Sequence, residues 1–138
     1  MQIDPYLNFN GNCEEAFAFY EKTFGGKIEF KMTHGESPMA AQTAPDWSGK
    51  IMHIALRVGD RVIMGSDAPP QYQQPRQGFR ISVSTKDASE AEKVFNALAQ
   101  GGKVDMPLAE TFWSPRFGML VDRFGIPWMV NTNTQQTA

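Results

Sequence analysis

The chain states one pattern twice, 76 positions apart. Phe19-Tyr20-Glu21-Lys22-Thr23-Phe24-Gly25-Gly26-Lys27-Ile28-Glu29-Phe30 is answered by Phe95-Asn96-Ala97-Leu98-Ala99-Gln100-Gly101-Gly102-Lys103-Val104-Asp105-Met106. Each copy reads as a helix tail, a Gly-Gly-Lys stop and the start of a strand. A repeat of this length constrains the fold more than any single residue does. Two copies of one supersecondary unit bury their apolar faces together, and a cleft is the natural place for a ligand.

The pattern extends outward from this nucleus. Asn12 with Glu15 reads as a capping box that opens a helix, and Asp87 with Glu90 repeats it. Cys13, Ala16, Phe17, Tyr20 and Phe24 fall on one helical stripe, as do Ala88, Ala91, Phe95 and Leu98. The Gly-Gly pairs end both helices. Alternation predicts the strands. Ile3, Leu7 and Phe9 alternate with Asp4, Tyr6 and Asn8, while Phe79, Val83 and Thr85 alternate with Arg80, Ser82 and Ser84. Ile54, Leu56 and Val58 alternate with His53, Ala55 and Arg57, and turns at Gly59-Asp60 and at 122–125 lead into strands over 61–65 and 126–131.

Each half therefore reads strand, helix, strand, loop, strand, turn, strand. The fold class is α+β: two tandem βαβββ modules, residues 1–70 and 71–138, forming one compact domain with a curved mixed-sheet cleft. In each strand the apolar set packs on a helix and the more polar set lines the cleft. Segments 34–49 and 66–77 read as loops, the first a candidate lid and the second the link between modules. The polar tail, 132–138, is expected to fray.

Composition narrows the function. A formal charge of −2 supplies no basic face for nucleic acid. No apolar run is long enough for a membrane span, and Met1-Gln2-Ile3-Asp4 does not begin a signal peptide. The single cysteine excludes an intramolecular disulfide and points to a reducing cytoplasm. Eight Met and ten Phe suit an adaptable apolar interior or pocket wall. No glycine-rich nucleotide loop, Gly-x-Ser-x-Gly elbow or HExxH pair is present.

Four stretches carry a family likeness: Pro5-Tyr6-Leu7 with Gly11-Asn12-Cys13-Glu14-Glu15-Ala16; Met52-His53 through Gly59-Asp60; Met64-Gly65-Ser66-Asp67; and Glu110-Thr111-Phe112-Trp113 through Asp122-Arg123-Phe124-Gly125 to Asn131. They resemble the PhnB-like branch of the vicinal oxygen chelate superfamily, which includes glyoxalase I, extradiol dioxygenases and bleomycin-resistance proteins. The resemblance spans nearly the whole chain. It implies paired βαβββ modules and association of two chains, so a homodimer is expected. It brings no settled activity. The methyltransferase label attached to some relatives has no visible cofactor site here.

In metal-using relatives, four inward positions supply His, Glu or Gln ligands. Here they match Asp4 (or Pro5, one residue on), Met64, Arg80 and Met129. Two thioethers and a guanidinium are no donors for a hard divalent ion. No metal and no cofactor are expected.

His53 is the best candidate for a catalytic base, set against the plainer reading of a hydrogen-bonded strand histidine. Arg57 and Arg80 would clamp an anion or pair with Asp4, Glu29 or Glu110. The expected ligand-binding set is Tyr6, Asn8, His53, Arg57, Met64, Arg80, Ser82, Trp113 and Met129, with Phe112 adding a flat surface. Trp128 and Cys13 read as core, and His34 and Glu36 have no nameable partner. Three functions stay open. The first is a metal-free small-molecule-binding protein. The second is an enzyme of lyase, isomerase or dioxygenase-like type acting on a small oxygenated or phosphonate-related substrate. The third is an interaction module with a filled cleft.

Overall fold

The computed structural model describes residues 1–133, and its tertiary contacts divide the chain into two units, Met1–Gln74 and the segment from Pro75 onward. Each holds one helix against one four-stranded sheet, the arrangement that lets an apolar helix stripe and an apolar sheet face bury one another.

In the first unit, β1 (Tyr6–Phe9), α1 (Cys13–Phe24), β2 (Lys27–Thr33), β3 (Ile51–Val58) and β4 (Arg61–Asp67) follow in order. The sheet order is β1-β4-β3-β2, with β1 and β4 parallel and the other neighbours antiparallel. Cys13, Ala16, Phe17 and Tyr20 are buried along α1, and Leu7, Phe9, Ile51, Ile54 and Leu56 meet them from the sheet. Close contact at this layer requires Gly65. A Cβ there would lie 2.7 Å from the Phe17 ring and 2.8 Å from the Leu7 carbonyl.

The second unit repeats the plan with β5 (Ile81–Thr85), α2 (Ala88–Ala99), β6 (Lys103–Ala109), β7 (Phe117–Val121) and β8 (Pro127–Thr132) in the order β5-β8-β7-β6. Again the first and last strands are parallel, with Ser82 opposite Met129 as Tyr6 is opposite Met64. Ala91, Val94, Phe95 and Leu98 of α2 pack on a sheet face that contributes Leu120, Trp128 and Val130.

Several sequence expectations need correction. Strand β1 starts at Tyr6, not near Ile3, which is 90% exposed; its partner stretch in β4 begins at Met64, whose N–H donates to the Pro5 carbonyl. Likewise β5 starts at Ile81, leaving Phe79 and Arg80 outside it. Strand β4 runs on through Ser66 and Asp67, because these pair with Asn8 and Phe9, so the loop begins at Ala68.

The capping box at Asn12 does not form. Asn12 makes no side-chain cap bond, and the Asp67 carboxylate accepts the Gly11 and Cys13 N–H groups instead, at 2.8 and 3.0 Å. Asp87 does cap α2, accepting the Glu90 N–H at 2.8 Å.

The 34–49 loop holds three 3-10 turns, His34–Glu36, Ala40–Gln42 and Pro45–Trp47. His34 Nε2 reaches the Asp67 carbonyl at 3.1 Å, and Glu36 completes a capping box with Thr33, so both residues have partners. Of the tail, Thr132 is a buried end of β8; 134–138 lie outside the described residues.

Candidate functional site

Alternation in β1 sends Leu7 and Phe9 toward α1 and Tyr6 and Asn8 to the opposite, open face of the first sheet. On that face Tyr6 Oη lies 3.0 Å from His53 Nδ1, and the two rings stack with centroids 5.6 Å apart and planes 25° apart. Phe30 of β2 meets the other side of His53, centroids again 5.6 Å apart. Tyr6, His53 and Phe30 thus form a strip of three rings, whose two outer members are each 44% exposed. Beside it Ser66 Oγ donates to Asn8 Oδ1 at 3.4 Å.

Phe30 and Ser66 were missed from sequence. Strict alternation puts Phe30 on the same face as Ile28, which pairs with Leu56 on the helix side. A bulge between Ile28 and Phe30 shifts the register, so Phe30 pairs with Ala55 and Met32 with His53. Only pairing data reveal such a shift. Ser66 was hidden by the mistaken end of β4.

The other predicted residues divide between the units. Met64 is the register partner of Tyr6 and Ala55. Arg57 is committed to Glu29 through an Nε–carboxylate hydrogen bond, one of the pairings foreseen for it. In the second unit, Ser82 and Met129 are register partners, and Met129 also pairs with Met119. Trp113 lies in the β6–β7 loop, edge-on to Phe112 and Phe117 at 4.6 and 5.2 Å. Asn131 Oδ1, also in that unit, is buried and meets no hydrogen-bond partner among the described residues.

Arg80 is spent inside its own unit. Its Nη1 donates to the Leu120 and Trp128 carbonyls at 3.2 and 3.3 Å, and its Nη2 to Asp105 Oδ2 at 2.9 Å. Asp105 was not among the partners foreseen. The Arg80 hydrogen bond, with added attraction from Arg80 and Lys103, holds the Asp105 carboxyl below its ordinary pKa. A depressed folded pKa means that the stabilisation is present above the unfolded value, about 3.9, and is lost as pH falls through the folded one. The stability gap between wild type and Asp105→Asn, measured by urea unfolding, is therefore expected to be full at pH 7 and to close as pH falls through the folded value. A gap of constant size would refute the assignment.

Cys13 is fully buried, and desolvation, with the Asp67 and Glu14 charges adding to it, pushes its thiol far above the ordinary range. It is a packing residue. Trp128 is also fully buried, with its indole N–H on Asp122 at 2.8 Å.

The four positions matching the relatives' metal ligands carry Asp4, Met64, Arg80 and Met129. A lone carboxylate, two thioethers and an occupied guanidinium do not fit a hard divalent ion. Among the described residues no group of three or more His, Cys, Asp or Glu side chains is placed to hold one. Nor is any helix long and apolar enough to cross a membrane.

Comparison with known proteins agrees with this architecture. A family model described as 3-demethylubiquinone-9 3-methyltransferase matches residues 1–131. Protein YjdN of Escherichia coli K12 is 37% identical over 146 residues, covering 99% of this chain and 98% of its own. The crystal structure of PA1353 from Pseudomonas aeruginosa superposes with a TM-score of 0.88 at 48% identity, covering 96% of this chain and 98% of that one. A Bacillus cereus structure, that of a PhnB protein described as a putative 3-demethylubiquinone-9 3-methyltransferase, gives 0.81 at 26%, covering 96% and 99%. The fosfomycin resistance protein FosX of Listeria monocytogenes, at 12% identity and a TM-score of 0.67 over 99% of this chain and 95% of its own, shares the fold. From the βαβββ repeat, the sheet orders and these matches, the chain belongs to the PhnB-like family described as 3-demethylubiquinone-9 3-methyltransferase, and it has the glyoxalase/bleomycin resistance-like fold.

Proposed function

We propose that the protein binds small planar molecules without a metal, on the open face of its first sheet. The observation that carries this reading is the Tyr6–His53–Phe30 strip. Half-exposed aromatic rings on a sheet face are costly to leave in water unless something flat covers them. Asn8 and Ser66 add a polar border at one side. The donor chemistry at the relatives' metal positions supports metal independence.

The test is a thermal-shift screen of planar aromatic compounds on chelator-treated protein. A ligand at 100 times its Kd is expected to stabilise by about 2.7 kcal/mol, and Tyr6→Ala is expected to abolish the shift. A broad screen without any shift, or binding that vanishes on chelation, would sink the reading. The Tyr6–His53 hydrogen bond favours a second reading, in which His53 is a general base oriented by Tyr6. Recovery of the bound compound separates the two: binding returns it intact, whereas catalysis returns it changed.

Self-association is part of the proposal. Phe112 is 97% exposed beside the half-exposed Trp113, and such side chains are favoured at protein interfaces. Sedimentation velocity at high micromolar concentration is expected to report two chains; a single chain would remove the dimer.

A further inference from the structure

A hydrogen bond to one imidazole nitrogen decides where the ring proton resides. Tyr6 Oη is 3.0 Å from His53 Nδ1. Of the two groups the phenol is the acid with the available O–H and the neutral imidazole is the better acceptor, so Tyr6 donates to Nδ1. The ring proton is then on Nε2, which meets no hydrogen-bond partner among the described residues. The flanking rings of Tyr6 and Phe30 restrict how the imidazole turns. Other polar groups of this face are engaged: Ser66 with Asn8, and Arg57 with Glu29.

We infer that Tyr6 holds His53 as the Nε2–H tautomer, so that the ring strip presents one fixed N–H donor and selects planar ligands bearing a carbonyl or carboxylate acceptor. The inference rests on the small-molecule reading above and names the ligand class. A planar molecule lacking an acceptor covers the rings but strips water from Nε2–H and returns nothing. One with an in-plane carbonyl replaces that water. Tyr6 is thereby a positioning residue as well as a stacking surface, because it acts on the ligand through the tautomer it imposes.

Two measurements test this. The first is nitrogen-15 NMR of the imidazole at pH 8, where an ordinary histidine is neutral. His53→Gln distinguishes its signals from those of His34, the other histidine. The wild type is expected to show predominantly the Nε2–H form, and Tyr6→Phe a mixture. A wild type that is mainly Nδ1–H, or already mixed, overturns the inference.

The second compares 2-acetylnaphthalene with 2-ethylnaphthalene, two uncharged probes that differ in the carbonyl. The ratio of their Kd values is expected to favour the acetyl compound about threefold to tenfold more in the wild type than in His53→Phe. Binding of both with the same ratio in the two proteins sinks the acceptor selectivity alone. Failure of both to bind sinks the ligand site together with it.

Discussion

Asp67→Ala is expected to cost the fold about 4 kcal/mol or more, enough to remove most of the stability of a domain this size. The carboxylate is 1% exposed and accepts three backbone N–H groups, from Gly11 at 2.8 Å, Cys13 at 3.0 Å and Ile51 at 2.8 Å. These donors come from the turn before α1, its first residue and the start of β3, while Asp67 itself ends β4. Alanine leaves three donors unpaired at buried or part-buried sites, each costing about 1–3 kcal/mol. Asp67→Asn retains one carbonyl oxygen but sets an amide against an N–H, so an intermediate loss of about 2 kcal/mol is expected. Urea unfolding followed by circular dichroism measures both. An alanine variant within about 1 kcal/mol of wild type would show that the junction re-forms around water.

Asp122→Ala is expected to be the next most damaging of these changes, at about 3 kcal/mol, and less severe than Asp67→Ala. Its carboxylate accepts the Phe124 and Ile126 N–H groups at 2.9 and 3.0 Å and the Trp128 indole at 2.8 Å. The origin of these donors differs from that of the Asp67 donors. Phe124 and Ile126 lie in the turn that Asp122 itself begins, so the turn can open locally and hydrate both. The buried indole N–H is the donor that cannot reach water without moving the largest side chain of the core. The same unfolding experiment ranks the two. An Asp122→Ala loss exceeding that of Asp67→Ala would contradict the distinction between a local turn and a junction of three segments.

These two carboxylates show where sequence reading stops. Asp67 and Asp122 both stood inside recognisable motifs, yet nothing in their spacing distinguished a junction from a turn. Asn12 and Asp87 make the same point from the other side. Both are good capping residues with Glu three positions on, yet only Asp87 has the extended backbone, φ −154° and ψ 172°, that aims its side chain at the N3 amide. Asn12 sits at φ −112° and ψ 22°, where it cannot do so, and Asp67 supplies the acceptor from 55 positions away. At the site, the outward phase of Tyr6 and His53 was legible from alternation. Their contact was not, because they lie on different strands and meet only once β4 is placed between β1 and β3. Arg80 looked free to clamp an anion until the carbonyls of Leu120 and Trp128 and the Asp105 carboxylate came within its reach.

Period and punctuation are local quantities, so the linear chain alone settled that there are two βαβββ copies and where helices α1 and α2 begin and end, to within a residue. Acceptors and rings far apart along the chain meet only when strands pair. A single bulge at Glu29 was enough to turn Phe30 from the helix side to the open face, where it completes the strip around His53. Which polar groups remain available to a ligand was decided at that later stage, since a buried or crowded donor takes whatever partner the packing brings.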